Sequence, residues 1–173
     1  MAYDAKAIAN YFLDLADEHK TSLTPMKLQK LIFFAHGWHL ALYDEPLIAD
    51  QVEAWQFGPV VPSIYQEFKH ERSGAISTKA TEFDLEKFDF LEPVVPKNDV
   101  RARGILDKVW QAYGKLTAIQ LSNLTHLPDT PWANARAKHA ADARKVPIDD
   151  ESIRVHFRAL AEKNRVARNQ EAA

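Results

Sequence analysis

The chain has 173 residues, 46% of them hydrophobic and 27% charged, with a net charge of −2, which fits a globular domain long enough to bury a core. It has no cysteine, which excludes a disulfide framework, a thiol nucleophile and a Cys-based zinc site. No uncharged apolar run reaches the ~18 residues of a membrane span, and the opening MAYDAKAIANYF lacks the basic leader of a signal peptide, so a cytoplasmic protein without a membrane partner is expected.

The first predicted helix starts at Asp4, a good N-cap, and places Ile8, Tyr11, Phe12 and Leu15 on one face before EHKTS ends it. Thr24-Pro25 opens the second, since Thr caps and Pro suits the first helical position. This helix runs to about Tyr43, where Asp44-Glu45-Pro46 stops it, and it is apolar on nearly every face, which predicts a buried central position. Val52, Ala54 and Gln56 then alternate with Glu53, Trp55 and Phe57, the pattern of a short strand, until Gly58-Pro59 breaks it. A third helix follows Pro62 with Ile64, Tyr65 and Phe68 on one side.

From Glu71 to Asn98 the apolar residues Phe83, Leu85, Phe88, Phe90 and Leu91 fit neither the helical nor the strand period, and PVVP is extended. Asp99 caps a helix carrying Ile105, Leu106, Val109, Trp110 and Tyr113, with Gly114 as its stop. Thr117-x-x-Gln120 is a capping-box pattern for a short helix, and Thr130-Pro131 opens another with Trp132 and Arg136. Asp149 or Asp150 caps the last helix, whose apolar face is Ile153, Phe157, Leu160 and Ala161. The sum is a mainly α, compact single-domain fold of about six or seven helices with a short β-hairpin, spanning 1–160, followed by a frayed tail over 161–173.

No phosphate loop or GxGxxG is present, and the chain holds only five glycines, so the common nucleotide enzymes are not expected. His36 and His39 are three apart on the central helix, and His126 lies before the last Thr-Pro start. A metal site needs a third ligand and a catalytic His needs a nucleophile or acid, and neither pattern is present, so structural roles are expected, with no metal, no cofactor and no catalytic residue. Residues 1–100 hold 9 basic and 16 acidic side chains, a net of −7, whereas residues 101–173 hold 13 and 8, a net of +5. The basic half, with Arg154, Arg158 and Arg165 near one face of the last helix, raises the alternative of a DNA-binding regulator. No standard nucleic-acid module is recognisable and the pI is near 6.4, so a solvated face is favoured and nucleic acid is not an expected partner.

The runs LTPMKLQKLIFFAHGWHLAL, DEPLIADQVEAWQFGPVVPSIYQEFK and LSNLTHLPDTPWANAR, in that order from about Tyr3 to Phe157, resemble the Panacea antitoxin domain, also called the SocA-like or GepA family. The resemblance implies a non-enzymatic antitoxin that binds a protein toxin encoded in the same operon. In the SocA-like branch it implies an adaptor that presents the toxin to a Clp-type AAA+ protease. Thr24, Gly58, His126 and Trp132 are the structural marks of these motifs. Lys27 and Lys30 form the one polar stripe of the central helix, either a solvated face or a basic anchor for an acidic toxin surface. With Trp55, Phe57, Pro59 and Tyr65 they are the candidate partner-binding residues, because aromatic side chains dominate binding hot spots.

Overall fold

The computed structural model describes residues 1–173. Seven α-helices carry the fold: α1 (Ala5–Glu18), α2 (Pro25–Tyr43), α3 (Pro62–Phe68), α4 (Val100–Tyr113), α5 (Ala118–Thr125), α6 (Pro131–Ala137) and α7 (Asp150–Glu171). Each helix start expected from a capping residue is where the sequence places it. The side chains of Asp4, Thr24, Asp99, Thr117, Thr130 and Asp149 each accept a backbone N–H of the first helical turn. Thr117 and Gln120 close both halves of the capping box.

Helix α2 is the axis of the molecule. Of its 19 residues, 12 are buried, among them Leu28, Leu31, Ile32, Phe33, Phe34, Ala35 and Leu40, so it has no solvent stripe to speak of. Helices α1, α3, α4, α5 and α7 all pack on it. The tightest approach is made by α7. Phe157 sits edge-on to Phe33, Phe34 and Trp38 at centroid separations of 5.8, 6.0 and 5.2 Å. That approach requires Gly37, because a Cβ there would fall 2.2 Å from the Phe157 ring. Asp44 ends α2 in the left-handed conformation, φ 60, with its N–H on the Leu40 carbonyl.

Two small antiparallel sheets replace the single short hairpin expected. The first has the order β2-β1-β5, with β1 at Val52–Trp55, β2 at Gly58–Val60 and β5 at Pro147–Ile148. Glu53 pairs with Val60, Ala54 with Pro59 and Trp55 with Gly58, leaving Gln56 and Phe57 as a two-residue loop. Gly58-Pro59 therefore does not end the strand; it opens the returning one. The positive φ that a tight hairpin needs falls on Gly58, φ +112. Pro59, with no N–H, sits on the edge strand β2, where a missing donor is tolerated.

The second sheet is a hairpin of β3 (Glu82–Asp84) and β4 (Asp89–Leu91), with Phe83 opposite Phe90. Its irregular apolar spacing has a plain cause: Phe83, Leu85, Phe88 and Phe90 are all exposed and answer to no core. At the other end, α7 stays helical to Glu171 where fraying was expected, but every side chain from Glu162 onward is exposed. Gly114 ends α4 at φ −60, without the left-handed turn that a stop glycine supplies.

Candidate partner-binding site

Three buried polar side chains, Gln29, Lys30 and Ser122, converge with His126, Trp132 and Arg136 on one place, the backbone of hairpin β1–β2 and the Val61 that follows it. Its carbonyls point at the helices, and side chains from α2, α5 and α6 donate to them in turn. Arg136 reaches the Ala54 carbonyl at 3.4 Å and the indole N–H of Trp132 reaches Trp55 O at 2.6 Å. Ser122 Oγ donates to Phe57 O at 2.9 Å and Lys30 Nζ to Pro59 O at 3.0 Å. His126 Nε2 lies 3.2 Å from Gln56 O, while its Nδ1 lies 2.6 Å from Ser122 O. Gln29 clamps Val61 from both sides, donating to its carbonyl at 3.0 Å and accepting its N–H at 2.8 Å. A short hairpin buried against helices has few ladder partners, so these donors are what keep its backbone satisfied.

The clamp explains the four motif residues. Thr24 caps α2 and so sets the phase of Gln29 and Lys30. Gly58 leaves the room that Lys30 occupies, since a Cβ there would lie 2.7 Å from Lys30 Nζ and 2.8 Å from Thr125 Oγ1. The rings of His126 and Trp132 meet at 3.9 Å between centroids, tilted by 49°, while each faces one of the adjacent carbonyls of Gln56 and Trp55.

The clamp also corrects part of the partner-binding set. Lys30 is 1% exposed and cannot touch a partner of the folded chain. Burial drives its pKa down to about 7, because an ammonium there has lost its water. Pro59 is buried as well. Lys27 is half-buried and its ammonium donates to the Gly114 carbonyl at 2.5 Å, capping the end of α4. Burial lowers its pKa too. Of the polar stripe of α2, Lys30 is thus an internal donor, and Lys27 is a part-buried one tied to the end of α4.

What remains outside is aromatic. Phe57, at the hairpin tip, is 61% exposed and Tyr65, on α3, is 42% exposed. Trp55 is half-buried and packs edge-on against Tyr65 at 4.9 Å. Against β1 and the 141–145 loop lies an open cleft of about 640 Å³ lined by Trp55, Trp132, Arg144 and Lys145. Arg136 lines it too, but its guanidinium is occupied by the carbonyls of Ala141 and Ala143.

The histidines have separate duties. His36 Nδ1 accepts the Ile48 N–H, so Nε2 donates to Asp150 at 2.9 Å and ties α2 to the start of α7. His39 Nδ1 donates to the Glu45 carbonyl at 2.7 Å, and burial lowers its pKa. No three His, Asp or Glu side chains gather as metal ligands. Ser122 and Thr125 both donate to carbonyls, so neither hydroxyl is poised as a nucleophile. On α7, Arg154 pairs with Asp44 and Glu151, Arg158 with Asp44 at 3.3 Å, and Arg165 with Glu162. The basic face that raised the DNA-binding alternative is largely neutralised by its own carboxylates.

Sequence reasoning missed Gln29, Ser122 and Arg136 as parts of the clamp. Only Gln29 left a signal, an amide beside the lysine stripe of a helix that is otherwise apolar.

Every donor of the clamp except Arg136 lies within residues 28–133, the segment that matches the family described as "Antitoxin SocA-like, Panacea domain". The chain belongs to this antitoxin family. It is 34% identical over 130 residues to the protein called Antitoxin SocA of Caulobacter vibrioides (strain NA1000 / CB15N), a match that covers 75% of this chain and 68% of that protein. No solved structure matches it.

Proposed function

We propose that this protein is a cytoplasmic antitoxin, a binding protein and not an enzyme, that neutralises a cognate toxin encoded in the same operon by forming a stoichiometric complex with it. The observation that supports this most is the family match over the segment that builds the clamped hairpin. The exposed Phe57 and Tyr65, with the edge of Trp55, are the side chains available to a partner there. A rigid hairpin loses little freedom on docking, which is the condition under which a few aromatic contacts give useful affinity. No helix is long and apolar enough to cross a membrane.

In the finer form of this reading the complex is delivered to a Clp-type AAA+ protease, and the antitoxin acts as an adaptor. The two forms separate in one experiment. The adjacent reading frame is expressed alone and together with this chain. Growth arrest by the first that the second relieves is the expected result; arrest that persists overturns the antitoxin reading. If relief is accompanied by disappearance of the toxin, and the toxin reappears when the protease is deleted, the adaptor form holds. Relief with toxin levels unchanged leaves stoichiometric inhibition alone.

A further inference from the structure

The second hairpin is anchored at its roots and exposed along most of the rest. Asn10, 2% exposed on α1, donates to the carbonyls of Ala80 and Pro93, each at 3.0 Å, and accepts the Ala80 N–H at 2.8 Å. Ala80 and Val95 are buried beside it. One amide thus pins both legs of the loop to the core. Beyond those legs, Phe83 packs edge-on against Phe88 and Phe90 at centroid separations of 5.3 and 5.1 Å, yet the three rings remain 43%, 81% and 65% exposed. Leu85 is 83% exposed at the turn. The sheet has only two strands, so both outer edges are open, and such a hairpin is marginal in water by itself. Phe88 adds a positive φ of 52, a conformation that an aromatic residue rarely adopts.

Charge surrounds the rings. From Glu82 to Glu92 the hairpin carries five carboxylates and one lysine, a net of −4. The lysine does not change that sign locally, since Lys87 lies 3.9 Å from Asp84 and the nearby Lys79 pairs with Asp14. A cluster of exposed rings ringed by acids is a poor surface to leave in water and a good one to set against a basic, apolar groove.

We propose that hairpin β3–β4 is a docking arm for the toxin, and that the toxin surface it fits is an apolar groove rimmed by lysine and arginine. This rests on the antitoxin reading and gives the partner a sign opposite to the one the Lys27–Lys30 stripe would have required. A second copy of the chain is the competing occupant, because the cleft floored by Trp38, Leu42 and Tyr113 is rimmed by Lys108, Arg165 and Arg168. A hairpin of one copy in the cleft of the next is a head-to-tail contact, and such contacts run on into open chains unless they close. A separate basic partner covers the arm without that consequence.

The test uses the purified full chain and the purified product of the adjacent reading frame, with affinity measured at low and high salt. Phe88→Ser with Phe90→Ser is expected to weaken binding by about 30-fold or more. Glu86→Lys with Glu92→Lys, both on exposed positions, is expected to slow association by about tenfold at low salt, with the gap closing as salt rises. Neither pair enters the core, so thermal unfolding of the free chain serves as the control. Wild-type affinity in both variants overturns the docking arm and leaves the antitoxin reading standing. No binding by the unaltered chain overturns the antitoxin reading, and the arm's assignment with it. Sedimentation of the chain alone covers the competing occupant: an oligomer that the double Phe variant dissolves assigns the arm to a second copy and overturns the proposal.

Discussion

Hairpin β1–β2 and hairpin β3–β4 are both short, antiparallel and tipped with phenylalanine, yet they are held in opposite ways. In the first, side chains from three helices donate to the carbonyls of Ala54, Trp55, Phe57, Pro59 and Val61, and the strand residues Val52, Ala54 and Val60 are buried. In the second, Asn10, Lys6 and Glu67 hold the roots, Glu82 meets Asp4, and no side chain from a helix donates to the strand carbonyls. The first therefore adds to stability through satisfied buried polar groups, whose loss is costly. The second adds little to stability and leaves its aromatic surface uncovered. A fold can fix one hairpin as part of its core and display another as a surface, and the distinction lies in the donors around them rather than in their own sequences.

The contrast can be broken most severely at Gly58. Gly58→Ala must hold a φ of +112 and place a methyl group 2.7 Å from Lys30 Nζ, so a loss of about 3 kcal/mol in urea unfolding is expected. A loss under about 1 kcal/mol would mean that Lys30 steps aside and the clamp is loose. Next comes a matched pair. Gln29→Leu leaves the buried Val61 N–H without its acceptor, although the Val61 carbonyl keeps the Ile64 and Tyr65 N–H groups, and is expected to cost about 2 kcal/mol, whereas Phe90→Ser in the other hairpin is expected to stay within about 0.5 kcal/mol. Equal costs would erase the difference between the hairpins.

Lys30 sharpens the comparison through pH. Its pKa falls from 10.5 to about 7 in the folded chain because it is buried. Between those two values the unfolded chain binds the proton and the folded chain does not, so stability rises with pH across the window. Below about 7 both states are protonated and the slope disappears. The expected slope is about 1 kcal/mol per pH unit at its steepest, and Lys30→Met should flatten it. A wild-type chain whose unfolding midpoint does not move between pH 7.5 and 9.5 would place the ammonium in water. The smallest effect is expected at Phe88→Asn. Asn tolerates the left-handed region, so relief of φ 52 should raise stability by about 0.5 kcal/mol. A fall instead would show that the Phe83–Phe88 contact contributes more than its exposure implies.

The helix starts were legible in the sequence because each rests on contacts a few residues apart. Asp4, Thr24, Asp99, Thr117, Thr130 and Asp149 all cap as their residue types predict. The central place of α2 was legible for a similar reason, since a helix without a polar face has only the core to go to. The antitoxin family was legible in the three ordered motifs, and the profile match over 28–133 bears that out. Lys27 and Lys30 were misread because a lysine three residues from another on a helix reads as solvated surface. Their acceptors, Gly114 O and Pro59 O, stand 87 and 29 residues further along the chain. The second hairpin was unreadable for the converse reason. Phe83, Phe88 and Phe90 look like core residues by composition, and nothing local tells an apolar side chain that it will stay outside.

The sequence by itself determined where the helices begin and which of them lies at the centre, because capping and hydrophobic period act over one or two turns; the family came separately, from the resemblance of its three ordered motifs. Only the tertiary structure decided which polar side chains turn inward. Trp132, Ser122, Lys30 and Gln29 meet carbonyls 77, 65, 29 and 32 residues away, and a hydrogen bond over such separations exists only once the helices have packed and brought donor and acceptor to within about 3 Å.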